Sequence, residues 1–168
     1  MVPTWDRARA GHWTQRLSEP DPDTTVLFSF FNEIAIIGQL SGSLFERRLP
    51  EGFLVSHFAV LNHLVRLGDG KTPLALARNF QVPKTTMTHT LAGLEKAGLI
   101  RFAPNPKDGR SKCVMVTDAG RAFRDEAIAR LEPDLRAIAR AIPPDRVAAV
   151  MPLLARMREW LDREREGG

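Results

Sequence analysis

The residues best suited to chemistry sit together between Lys84 and Thr90, where Thr85, Thr86, Thr88, His89 and Thr90 offer hydroxyls and an imidazole. Met87, Leu91 and Leu94 follow at spacings of four and three. That spacing is the inner stripe of a helix over about 84–97, and it leaves the threonines and His89 on or beside the outer face of its N-terminal half. Short hydroxyls reach phosphates or base edges, and a helix N-terminus favours a phosphate. The plain alternative is a well-solvated polar face. Threonine is not a preferred interior helix residue, however, so a cluster of four asks for a reason beyond solubility.

A second cluster follows in Pro104-Asn105-Pro106-Lys107-Asp108-Gly109-Arg110, flanked by two short extended runs, Leu99 to Ala103 and Lys112 to Thr117. The pattern predicts a β-hairpin with a rigid, basic tip. Charge is concentrated in the same region. Between Lys71 and Arg124 ten Lys or Arg face three acids, a balance of +7, whereas the whole chain carries +4 and the remainder is therefore at −3. One basic segment in an otherwise acidic chain points to a localised surface for a polyanion.

Other chemistries find little support. The chain shows no Gly-rich phosphate loop and no serine, histidine and acid grouping on neighbouring elements, so an enzyme is not expected and no cofactor is implied. The single cysteine, Cys113, cannot form an internal disulfide or a multi-cysteine zinc framework, and at the start of a strand it reads as a small structural residue. His57 and His63 are six apart, which places them on different helix faces and argues against a shared metal. No stretch approaches the roughly 18 consecutive apolar residues of a membrane span, and Met1 to Ala10 lacks a secretory apolar region. A cytoplasmic protein with no membrane partner is expected.

The elements that must position these residues are mostly helical. Residues 1–23, with Trp5 and Trp13, read as an N-terminal arm ended by the turn Pro20-Asp21-Pro22-Asp23. Val26, Leu27, Phe30, Phe31, Ile34, Ile37, Leu40 and Leu44 then give a long helix apolar on more than one side, which needs more than one neighbour. Pro50-Glu51-Gly52 breaks it. Ser56 is the expected cap of a second helix with Phe58, Leu61, Leu64 and Val65 inward, stopped by Gly68-Asp69-Gly70. A short helix over Thr72 to Phe80 has Thr72 as N-cap, Pro73 at its first position, and Leu74, Leu76 and Ala77 inward. Gln81-Val82-Pro83 forms the turn into the polar-faced helix, which Gly98 ends. After the hairpin, Thr117 caps a helix carrying Phe123, Ile128, Leu131, Leu135 and Ile138, with a bend expected at Pro133. Pro143-Pro144 separates a last helix with Val147, Val150, Leu153, Leu154, Met157, Trp160 and Leu161, and a kink expected at Pro152. These flanking helices exceed what a small domain needs for its own core, so their apolar surface is expected to meet a second copy of the chain.

Two helices joined by a short turn are common in proteins that never touch nucleic acid. The surrounding segments are more specific. Thr72-Pro73-Leu74-Ala75-Leu76-Ala77, Val82-Pro83-Lys84-Thr85-Thr86-Met87-Thr88 and Leu94-Glu95-Lys96-Ala97-Gly98-Leu99-Ile100 resemble the MarR family of bacterial regulators. Asn105-Pro106-Lys107-Asp108-Gly109-Arg110-Ser111 is similar to that family's Asp-x-Arg wing motif, and Val116 to Ala122 to the strand-to-helix exit after it. The close match covers about 50 residues, and the flanking helices agree in pattern and order only.

The resemblance implies a mainly α fold with a small β-hairpin wing: a winged helix-turn-helix at 71–120, flanked by a helical dimerisation region at 24–70 and 121–168. It further implies a homodimeric transcriptional repressor on a pseudo-palindromic operator in double-stranded DNA, with recognition helices in successive major grooves about 10 base pairs apart. Contact candidates are Thr72, Lys84, Thr85, Thr86, Thr88, His89, Lys107, Asp108, Arg110 and Lys112. Arg110 would enter the minor groove, oriented by Asp108 through a charge-assisted contact. Members commonly respond to a small aromatic effector, for which Phe31, Ile34, His57 and Arg66 are the candidate pocket residues. Three positions depart from the family pattern. His89 replaces a common arginine, so base preference there should be softer and open to pH. Gly93 lies inside the recognition helix, at a cost of up to about 1 kcal/mol unless a close approach requires it. Pro83 replaces a serine cap and is expected in the first helical turn. The competing class is a winged helix used as a protein-interaction module without sequence-specific DNA binding.

Overall fold

The computed structural model describes residues 21–167, with side chains to Glu164. Trp5 and Trp13 of the expected arm lie outside the described residues. The chain divides between Leu44 and Phe45 into two compact units.

The first unit is the body of helix α1 (Pro22–Glu46). Asp21 starts it: its carboxylate accepts the Asp23 N–H at 3.1 Å and its carbonyl accepts the Thr25 N–H at 3.0 Å. Val26, Leu27, Phe28, Phe31, Ile34, Ile36, Ile37 and Leu40 are all exposed along this helix. By length and composition α1 is apolar enough to cross a membrane, although Asn32, Glu33 and Gln39 interrupt its apolar run.

The second unit holds five helices and a hairpin: α2 (Val55–Leu67), α3 (Pro73–Asn79), α4 (Lys84–Lys96), β1 (Ile100–Pro104), β2 (Lys112–Val116), α5 (Asp118–Ala141) and α6 (Pro144–Gly167). Its core joins α2 to α3, α4 and the hairpin. Val60, Leu61 and Leu64 of α2 pack with Leu76 and Ala77 of α3, Met87, Leu91 and Leu94 of α4, and Ile100, Val114 and Val116 of the hairpin. A satellite cluster gathers Phe45, Leu49 and Ala127, with the Phe45 and Phe58 rings edge to face at 4.3 Å.

Several local expectations change. Leu74, expected inward, is 47% exposed, because the short α3 offers the core only Leu76 and Ala77. On α2 the fully buried residues are Val60, Leu61 and Leu64, whereas Phe58 and Val65 are only partly covered. Ser56 is not the cap of α2. The helix starts at Val55, and the His57 Nδ1 accepts the N–H of the cap residue Leu54 at 3.0 Å. Pro83 stands outside the first turn of α4, as its N-cap with an extended ψ of 146°.

The hairpin pairs antiparallel from Ile100 opposite Val116 to Pro104 opposite Lys112. A third chain segment lies along it, with the Gly70 N–H donating to the Val114 carbonyl at 2.8 Å and the Val114 N–H to the Lys71 carbonyl at 2.9 Å. Helices α5 and α6 run on through Pro133 and Pro152. Apolar residues stand exposed on both, among them Ile128, Leu135 and Ile138 on α5 and Val147, Val150 and Trp160 on α6.

Candidate nucleic-acid interface

Capping chemistry fixes the start of α3 but not that of α4. The Thr72 Oγ1 accepts the Ala75 N–H at 3.2 Å and Pro73 occupies the first helical position, so α3 begins where the sequence places it. Thr72, expected as a DNA contact, therefore spends its acceptor on the helix. In the turn between the helices Gln81 adopts φ of 53°, a left-handed conformation held by Val82 N–H donating to Ala77 O at 3.1 Å. Pro83 offers no side-chain cap, so the first amides of α4 are left for outside acceptors.

Met87, Leu91 and Leu94 are buried as expected, and Lys84, Thr85, Thr86, Thr88 and His89 are exposed. Two of the hydroxyls are not idle. Thr88 Oγ1 donates to the Lys84 carbonyl at 2.8 Å and Thr90 Oγ1 to the Thr86 carbonyl at 3.1 Å. Thr88 thus presents outward as a hydrogen-bond acceptor, a role that suits base amino groups better than phosphates. At the other end Gly98, with φ of 71°, turns the chain into the hairpin.

The wing tip is tied by its own short polar side chains. Asn105 Oδ1 accepts the Lys107 N–H at 3.0 Å, and Asn105 Nδ2 donates to Ser111 Oγ at 2.8 Å. Asp108 Oδ1 accepts the Arg110 backbone N–H at 3.0 Å. The expected charge-assisted contact to the guanidinium is absent; Asp108 orients Arg110 through its backbone, because an Asx turn brings the carboxylate to the amide two residues on. Lys84, Lys107, Arg110 and Lys112 are exposed, and among the described residues none of them forms an ion pair. The base of the wing is braced by Asp69, which accepts the Val116 N–H at 3.2 Å and faces Arg121 at 3.6 Å.

Phe31 and Ile34 are exposed on α1, and His57 serves the start of α2. Within the second unit Arg66, unlike His57, lines a cleft of about 370 Å³. Its other walls include Phe45, Phe58, His63 and Phe80, which periodicity alone assigned to core faces or left unassigned. His63 lies 3.2 Å from the Asn79 amide nitrogen and 5.2 Å from the Phe80 ring. Burial lowers its pKa, and the charges of Lys71 and Arg66 lower it further. Among the described residues no group of three or more His, Cys, Asp or Glu is gathered for a metal. Cys113 is buried on β2.

A short helix, a tight turn, a longer helix with an exposed polar face and an antiparallel hairpin packed behind it define a winged helix-turn-helix. Residues 51–111 match the sequence model of the MarR family. No curated protein matches the chain in sequence. Among solved structures, wild-type apo MarR from E. coli is 26% identical, covering 75% of this chain and 94% of that one with a TM-score of 0.65. BldR from Sulfolobus solfataricus is 23% identical over 85% of this chain and 99% of its own, with a TM-score of 0.70. A cysteine-to-serine variant of E. coli MarR complexed with operator DNA is 24% identical over 82% and 98%, with a TM-score of 0.65. Over residues 51–111 the chain is thus similar to the MarR family, and its fold is similar to that of the solved MarR structures.

Proposed function

We propose that this chain is a cytoplasmic, non-enzymatic transcriptional repressor that binds a pseudo-palindromic operator as a homodimer. The observation that carries the reading is the pairing of an exposed Lys84-to-His89 helix face with a wing whose Lys107, Arg110 and Lys112 have no counter-ion within the described residues. Unpaired cations on a rigid hairpin cost little to bring against phosphates, and Arg110 suits a narrow minor groove. A protein of the same fold has been solved on operator DNA.

The homodimer is supported by the apolar surface that α1, α5 and α6 leave exposed. Glu33 and Asn32 in the middle of α1 make a protein neighbour a better cover than lipid, since an acid at a bilayer centre costs roughly 2.5–3.5 kcal/mol. For an effector, the cleft offers the rings of Phe45, Phe58 and Phe80 beside the Arg66 guanidinium, surroundings suited to a small aromatic acid.

Fluorescence anisotropy with the DNA upstream of the chain's own gene, across a salt series, tests the reading. Binding that weakens steeply with salt is expected. Absent or salt-insensitive binding would overturn it in favour of a protein-interaction module. Sedimentation of the free chain tests the dimer, and a monomer at micromolar concentration would remove it.

A further inference from the structure

Gly93 interrupts the recognition helix α4, and the reason lies across the core on α2. A Cβ added at Gly93 would stand 2.8 Å from the His57 Nε2, 3.6 Å from its Cδ2 and 3.7 Å from its Cε1. The imidazole therefore rests directly on the bare backbone of α4. It is also held from its other side. Nδ1 accepts the Leu54 N–H at 3.0 Å, which fixes the ring at the first turn of α2, and the Phe53 ring meets it edge-on at 5.7 Å. A ring with an accepting Nδ1 is neutral and carries its proton on Nε2, the nitrogen that faces Gly93. Burial favours that neutral form by lowering the His57 pKa.

We propose that His57 is a positioning residue of the recognition helix: the imidazole pinned at Leu54 acts as a spacer in the notch of Gly93 and sets the distance and rotation of α4 relative to α2. The inference rests on α4 being the DNA-reading helix. Glycine in a helix interior is otherwise unfavourable, and alanine would be preferred on propensity alone. Here alanine cannot enter without displacing either the ring, which breaks the cap of α2, or the helix, which moves Thr85, Thr88 and His89 off their bases. Base contacts tolerate such shifts poorly, whereas phosphate contacts depend mainly on charge.

The test is a cycle of four full-length proteins: wild type, Gly93→Ala, His57→Ala and the double variant. Each is measured for denaturant midpoint and for affinity to the upstream DNA segment and to a scrambled duplex of equal length. Gly93→Ala is expected to lower affinity for the upstream segment about tenfold, the worth of roughly one base contact, while affinity for the scrambled duplex stays unchanged. His57→Ala and the double variant, which lack the spacer, are expected to lose specificity as Gly93→Ala does, but in the His57→Ala background the Gly93→Ala change should raise rather than lower the midpoint, since the clash is gone. A Gly93→Ala protein with wild-type midpoint and wild-type specificity would overturn the proposal. So would a double variant with a midpoint no higher than that of His57→Ala. Should wild type prefer neither duplex, the DNA-reading assignment falls, and the spacer is then judged by the midpoints and by the His57 ring nitrogens in NMR. Loss of the Nδ1-acceptor signature in Gly93→Ala would uphold it; an unchanged signature with additive midpoints would sink it.

Discussion

The carboxylate of Asp108 accepts the backbone N–H of Arg110 at 3.0 Å, while the guanidinium of Arg110 stands exposed and unpaired among the described residues. The acid shapes the turn and the base is left for an outside anion. This division of labour distinguishes two substitutions that a direct ion pair would make equivalent. Asp108→Asn keeps an accepting oxygen and should retain DNA affinity or gain slightly by losing a negative charge. Asp108→Ala loses the turn bond, worth about 1 kcal/mol, and should weaken binding several-fold at matched salt. Equal losses for both variants in anisotropy would restore the ion-pair reading.

Arg110→Ala should weaken binding to the upstream DNA substantially and flatten the log-affinity against log-salt slope by about 0.9, the value of one phosphate neutralised. Sedimentation should show an unchanged assembly, because Arg110 is exposed at the hairpin tip and is not part of the apolar faces of α1, α5 or α6. An unaltered slope would remove the wing from the mechanism.

Thr117 ties the start of α5 to the end of α4 through one hydroxyl. Its Oγ1 accepts the Gly120 N–H at 3.0 Å, capping α5, and donates to the Gly98 carbonyl at 2.8 Å, where the chain leaves α4. Thr117→Ala is expected to cost about 1–2 kcal/mol in denaturant unfolding and Thr117→Ser much less.

Gly120 is a harsher case, since an added Cβ would lie 2.0 Å from the Leu99 carbonyl oxygen, a backbone atom that cannot step aside. Gly120→Ala should cost about 3 kcal/mol or more, and a midpoint near that of wild type would contradict the close approach.

Stability should also depend on pH through two histidines. Burial lowers the pKa of His57, and burial followed by Lys71 and Arg66 lowers that of His63. Both titrate near 6.5 when unfolded. Below that value, and down to the folded pKa, the unfolded chain binds more protons, so stability rises with pH through this window. It is complete above 6.5 and falls as the solution is acidified. Denaturant midpoints between pH 7.5 and 5 should show the decline, and His57→Gln with His63→Gln should flatten it; an undiminished slope in that double variant would assign the effect elsewhere.

The sequence by itself determined what depends on neighbours a few residues away. The caps at Thr72 and Thr117, the left-handed Gly98, the buried stripe Met87, Leu91, Leu94 and the hairpin with its basic tip are all local matters of hydrogen bonding, φ and helical spacing. The family fragments added their order. Packing through space settled which helix shares a core with α3 and α4, that the segment at Gly70 and Lys71 pairs along the hairpin, and that Arg66 faces Phe45 and Phe80 across a cleft. The same division runs through the polar face of α4. The outward placement of Thr85, Thr88 and His89 was legible in the spacing. What sets α4 against α2 was not, because the His57 ring and the Gly93 notch meet through space and neither residue carries a local signal of the other.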